Sequence, residues 1–293
     1  MYVGRGVKVW IFITLCSLLI WTIYWIPWSF SLIYNLIVSQ GAIFRFGGWM
    51  YLLQELSGAV GTIVRSIGVF IGLFILFLLR DGSKGVFETK KWLASALAIE
   101  SIYYAMLGFP SGIYMMGSGY GGQYQVLGVS FFLQFLFTTP FLAVLAIKVY
   151  RYKKDGSGFQ SWKWVGAAFV GYVAALWANS VPKWFEMLAM EGIAFFSVPI
   201  RTVGALNDFG LMSLAIVFAV VGAFSLVKKK SSAMRWLGLT LAILGLHYLV
   251  YVVYSYYGGM LNSVMLAEVW AIPLLGLGLT MLRTQTSKNE KQK

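Results

Sequence analysis

Charge is scarce in this chain: only 11% of its 293 residues are Asp, Glu, Lys or Arg, whereas a soluble domain carries roughly a quarter. So few charges cannot cover a water-facing surface. Cysteine and histidine are scarcer still, with Cys16 and His247 the single representatives of their types. One of each excludes an intramolecular disulfide, a Cys-rich zinc site, an iron–sulfur cluster and a bis-His haem. No metal and no cofactor is therefore expected. The lone histidine lies inside an apolar run, which leaves no Ser/His/Asp set, and no Walker, zincin or nucleophile-elbow pattern occurs. The chain carries no enzymatic signature. Short segments of alternating polarity are also missing, which excludes a membrane β-barrel.

Apolar residues are abundant instead, at 59%, and they are gathered into blocks of about 20, the length at which a helix crosses ~30 Å of hydrocarbon. Backbone polar groups in lipid must pair within their own segment, so each block is expected to be a helix. The expected fold is an all-α integral membrane protein with about eight transmembrane helices, spanning roughly 9–37, 58–80, 91–110, 126–148, 162–181, 206–227, 235–256 and 264–283. The first block follows Arg5 and Lys8 as a signal peptide would, but it is too long and lacks a small-residue cleavage site, so it reads as a retained anchor. Its Trp25-Ile26-Pro27-Trp28 run invites a kink or an interfacial extension.

The scarce charges are placed asymmetrically. With the N-terminus inside, the cytoplasmic segments 1–8, 80–91, 148–163, 228–235 and 283–293 hold 19 of the 23 Lys and Arg residues. That agrees with the positive-inside rule at each loop and puts both termini of a multi-pass cell-membrane protein in the cytoplasm. The net charge of +13 is thus accounted for by topology and attraction to anionic lipid, and nothing points to nucleic acid.

The two halves read as copies. Glu55-x9-Arg65-Ser66-Ile67-Gly68 recurs as Glu191-x9-Arg201-Thr202-Val203-Gly204, and Lys91-Trp92-Leu93 recurs as Arg235-Trp236-Leu237. Tyr120-Gly121-Gly122 returns as Tyr257-Gly258-Gly259, while Ser130, Leu133 and Pro140 return as Ser263, Leu266 and Pro273. The shared order and similar offsets predict two duplicated four-helix halves, 1–155 and 156–283, followed by a basic cytoplasmic tail, 284–293. An even number of spans per copy keeps the halves in the same orientation, as in parallel-repeat transporters. The copies differ at one point. Arg65 precedes Arg80 by ~22 Å of helix, whereas Arg201 precedes Lys228 by ~40 Å, so the second segment must reach farther out or bend, and Pro199 invites a break.

Candidate functional residues are the polar ones inside or beside the spans. Glu100 and His247 fall near mid-bilayer in the third and seventh spans, where an ionisable group needs a partner, water or a proton. They suggest a proton or cation pathway at the interface between the halves, with Tyr104 and Tyr248 beside them; the bland alternative is a protonated glutamate bonded to tyrosines. Gln134 and Glu268 precede Pro140 and Pro273 and would line the same pathway or mark hinges. An outer charged motif comprises Glu55, Arg65, Glu191, Arg201 and Asp208. Arg65 shares a stripe with Gly61, Gly68 and Gly72 and so faces protein or a water-filled cavity. The functional reading of the motif is an anion or headgroup contact at the outer mouth; the structural one is ion pairs fixing the halves, such as Arg65 with Glu191 and Arg201 with Glu55. The segments 48–57 and 183–199 read as interfacial helices on the outer side, available to protein partners or a second copy of the chain. Segment 111–122 reads as a Gly-rich loop, and the Trp and Tyr residues as lipid-belt anchors.

Two functions fit these features. The first is a transporter or channel-like protein with a solute or ion path between the repeat halves. The second is a cofactor-free membrane subunit of a larger complex, such as a secretion or DNA-translocation machine or a quinone-handling respiratory complex.

Overall fold

The computed structural model describes residues 5–38, 48–80, 86–117, 122–152, 162–228, 232–257 and 271–283. The described residues are helical almost throughout and include no strand. The helices are α1 (Arg5–Val38), α2 (Gly48–Arg80), α3 (Val86–Gly117), α4 (Gly122–Tyr150), α5 (Trp162–Ser180), α6 (Pro182–Glu191), α7 (Pro199–Leu206), α8 (Met212–Val227) and α9 (Ala233–Tyr257), followed by α10 (Ala271–Arg283). Six helical stretches are long and apolar enough to cross a membrane, consistent with an α-helical membrane protein. They lie in α1 to α4, in the α7–α8 segment and in α9; α5 and α10 contribute shorter apolar stretches, Lys163–Ala178 and Ala271–Arg283. The first part of the expected span 264–283 lies outside the described residues. Tyr24, Phe70, Phe77 and Phe224 are each more than half exposed, a disposition suited to lipid.

Three helices run farther than their composition suggests. Residues 48–57 are the first turns of α2 and not a separate interfacial helix. No proline interrupts that run, and Gly58 and Gly61 weaken a helix without ending it. Residues 111–117 continue α3 past Pro110, where a loop is expected from the glycines. Packing supplies the reason. A Cβ on Gly112 would lie 3.0 Å from Phe132 Cβ, and one on Gly128 would lie 2.7 Å from Met116 N. These glycines let α3 and α4 approach backbone to backbone, and close small-residue contact is what holds helices together in lipid. α1 spans 34 residues with Pro27 inside it.

The chain forms two compact units, Leu19–Phe159 and Met1–Leu18 with Gln160–Lys293. In the first, α3 packs against both α2 and α4, and Gly68 receives Ile99 of α3. In the second, α8 packs between α5 and α9. Its core is Val173, Val181, Met212, Ala215, Ala219 and Leu244. Gly166 faces Ala223, and Gly245 and Gly278 bring α9 and α10 into backbone contact. Trp10 of α1 fills the surface over Gly276 in the same unit.

The long outer reach of the second Arg motif is resolved by a break and a widened turn. Val198 is extended (φ −104°, ψ 99°) and Pro199 opens α7, where its missing N–H is harmless. The helix then opens into a π turn, Asn207–Leu211, before α8.

Candidate functional site

Three arrangements of polar side chains lie inside the helix packing, and the first is centred on Arg65. The glycines at 61 and 68 leave room for Tyr103 and Ile99 of α3 beside α2, and Arg65 between them turns into the unit. It is 7% exposed. Its Nε stands 3.6 Å from Glu100 Oε1, and its Nη1 donates to the Tyr103 hydroxyl at 3.3 Å. The guanidinium also lies over two aromatic rings, 4.5 Å from the Tyr103 centroid and 5.2 Å from that of Trp21. A planar cation suits this setting, because rings stabilise it by their quadrupoles while the carboxylate balances its charge. Tyr104 is buried beside Tyr103, edge to face.

Next to this pair is a cavity of about 240 Å³. One wall is a tryptophan stripe on α1, Trp21, Trp25 and Trp28, at the four-and-three spacing of a single helical face. Gln54, Glu55, Gly58 and Thr62 of α2 form a second wall, and Tyr103, Leu107, Ser111 and Met115 of α3 a third, with Phe131 closing from α4. Trp25 Nε1 and Gln54 Oε1 are buried without a hydrogen-bonding partner. A buried, unmatched donor or acceptor costs roughly 1–3 kcal/mol.

The third arrangement is in the other unit. The π turn presents Asn207 and Asp208, 6% and 2% exposed, to His247 on α9, itself 5% exposed. His247 Nδ1 is 3.5 Å from Asp208 Oδ1 and 3.0 Å from Asn207 Nδ2, which also donates to the His247 carbonyl at 3.3 Å. The other carboxylate oxygen, Asp208 Oδ2, accepts from Trp184 Nε1 at 2.5 Å. Trp184 thereby anchors α6 to the buried carboxylate. Asn207 Oδ1 is left buried without a partner. Single π turns inside helices recur at functional sites, because they displace side chains and loosen the backbone ladder. Tyr248 stacks edge-on against the imidazole.

These contacts redistribute the candidate residues. Glu100 and His247 each have a counter-group within their own unit, Arg65 and Asp208. Arg65 pairs with Glu100 where Glu191 was expected, and Arg201 pairs with Glu191 where Glu55 was expected. The physical reason is sequence-local. Glu191 ends α6 and Arg201 lies on α7, ten residues on, so the short connection brings them together. Gln134 is buried on α4, ahead of Pro140, and the neighbouring Thr138 and Thr139 hydroxyls are buried without partners. Ser101 of α3 donates to the Thr139 carbonyl at 2.9 Å. Glu268 lies outside the described residues. Asn207 and the stripe Trp21, Trp25 and Trp28 are missed by the sequence reading. A polar pair directly before Phe209, and tryptophans at helical spacing in the middle of a span and not at its ends, are the signals that could have found them.

No group of three or more His, Cys, Asp or Glu side chains suited to a metal ion occurs among the described residues. The chain matches no protein-family model, no curated protein and no solved structure.

Proposed function

We propose that this protein is a polytopic cell-membrane transporter or channel-like protein, and that Arg65–Glu100 and Asp208–His247 are the charged steps of a solute or ion path. The observation that carries the reading is the recurrence of a buried, ionisable pair in each unit, Arg65 with Glu100 and Asp208 with His247. Ionisable side chains inside membrane helices are costly and cluster on ion and substrate pathways. A duplicated architecture of four plus four spans with both termini cytoplasmic belongs to the same proposal. Under it, α2 corresponds to the α7–α8 segment and α3 to α9. Each pair then links the second and third spans of its half, and Tyr103 corresponds to His247. Both Tyr103 and His247 bond to a side chain of the preceding span, Arg65 in one copy and Asn207 in the other. Gln134 and Glu268 would accompany the path at the hinge prolines.

A second reading, membrane subunit of a larger complex, is favoured by one observation. The run from α6 into the 3₁₀ turn Gly192–Ser197 exposes Phe185, Met190 and Ile193, the last at 90%. Lipid headgroups, a protein partner or a second copy would cover them. Mild purification from native membranes separates the readings. Recovery of the chain alone, or as a homo-oligomer, supports the transporter. Recovery of stoichiometric partners that are lost on changing Phe185 and Ile193 to serine supports the subunit and contradicts the transporter.

A further inference from the structure

We infer that the cavity between α1, α2 and α3 is a recognition site for a small organic ammonium ion. The inference rests on the transport reading in one respect only: it names the class of solute that such a path would take up.

Charge comes first. Among the described residues Glu55 is the single charged side chain on the cavity wall, and no cation pairs with it. The Arg65 and Glu100 charges beside the cavity balance each other. Among the described residues the local surplus is therefore one negative charge, which attracts a cation and repels a carboxylate or phosphate.

The walls point the same way. Trp25 and Trp28 stand edge to face with centroids 5.5 Å apart, and Trp21 continues the stripe. This unit already holds a cation on aromatic rings, since the Arg65 guanidinium lies over Trp21 and Tyr103. Rings lining a cavity attract ammonium groups in the same way. A bare metal ion would find only one carboxylate on these walls, whereas an organic cation finds apolar surface for its carbon body.

The cavity's size bounds the ligand. The volume of about 240 Å³ holds roughly eight non-hydrogen atoms if each takes the ~30 Å³ of a water molecule. That bounds the ligand to the size of a short amino alcohol.

The test uses the full chain in lipid nanodiscs and three matched probes: tritiated 5-aminopentan-1-ol, neutral pentane-1,5-diol and anionic 5-hydroxypentanoate. The expected result is saturable binding of the amino alcohol, displaced by itself and not by the diol or the anion. Glu55→Gln is expected to weaken it about ten-fold or more, as loss of a charge-assisted bond does, and Trp25→Ala, which removes a ring of the wall, to weaken it several-fold. Helix content and elution profile report whether the variants fold. Equal displacement by the diol, or unchanged affinity in a folded Glu55→Gln protein, overturns the proposal. So does an absence of saturable binding to the wild-type protein. Flux in proteoliposomes is scored separately: binding without any flux contradicts the transport reading and leaves the site standing, while flux of other solutes without ammonium binding removes the site alone.

Discussion

Arg65 Nε lies 3.6 Å from Glu100 Oε1 between α2 and α3, with the arginine side chain 9% and the glutamate side chain 25% accessible. Arg201 and Glu191 also pair, but with side chains 36% and 34% accessible. The two Arg motifs look alike in sequence and differ in energetic weight, because removing one member of a buried pair strands the other charge.

Loss of Glu100 should therefore destabilise far more than loss of Glu191. Glu100→Ala is expected to cost about 3 kcal/mol, the low end for breaking a buried pair given the partial exposure of the carboxylate. Glu191→Ala should cost about 1 kcal/mol or less. Thermal unfolding of the two variants in one detergent compares them directly, and equal losses would contradict the burial argument.

Helix contact at glycine predicts a second contrast. Gly128→Leu must push α3 from α4, because even a Cβ meets Met116 N at 2.7 Å and Gly112 O at 3.0 Å. Overpacking of this kind costs about 1–3 kcal/mol or more. A Cβ on Gly117 meets nothing within 4 Å, so Gly117→Ala should stay within about 0.5 kcal/mol of wild type. Unfolding midpoints check both.

The bond from Trp184 to Asp208 predicts coupling between α6 and the π turn. Trp184→Phe removes a donor from a buried carboxylate and should cost about 1–3 kcal/mol. In the Asp208→Ala background, which removes the acceptor, most of that cost should vanish, giving an interaction energy of about 1 kcal/mol or more in a double-mutant cycle. Additive effects would mean that the bond does not contribute.

The proposed eight-span topology predicts a labelling pattern. In a Cys16→Ala background, cysteines introduced at Lys154, Lys229 and Lys288 should react with a membrane-impermeant maleimide only after the membrane is opened. A cysteine at Lys183 should react in intact cells. Reaction of Lys229→Cys in intact cells would contradict the orientation.

Much of the helical framework was legible, because hydrocarbon thickness and backbone pairing leave few choices once apolar blocks of the right length are present. Helix ends were less so. The continuation of α3 through residues 111–117 depends on Gly112 meeting α4, and a glycine that serves a tertiary crossing looks in sequence like one that serves a loop. Glu100, Arg65 and His247 stood out because ionisable residues are rare in spans, but their partners did not. Choosing Glu100 over Glu191 for Arg65 requires knowing which helix faces α2. Asn207 and the π turn left no periodic mark, since one extra residue in a turn barely disturbs an apolar pattern. The tryptophans of α1 were hidden by abundance: with 12 in the chain, interfacial anchoring is the expected use, and only the fold aligns Trp21, Trp25 and Trp28 along a cavity.

The most direct test of the transport account is flux through the purified chain in proteoliposomes, recorded as current on a solid-supported membrane during steps of proton or ammonium-ion gradient. The account predicts a gradient-driven current for the wild-type protein that falls about ten-fold or more in Glu100→Gln and in His247→Gln, as expected when an intramembrane ionisable step is neutralised. A wild-type protein without current, or currents unchanged in both folded variants, would contradict it.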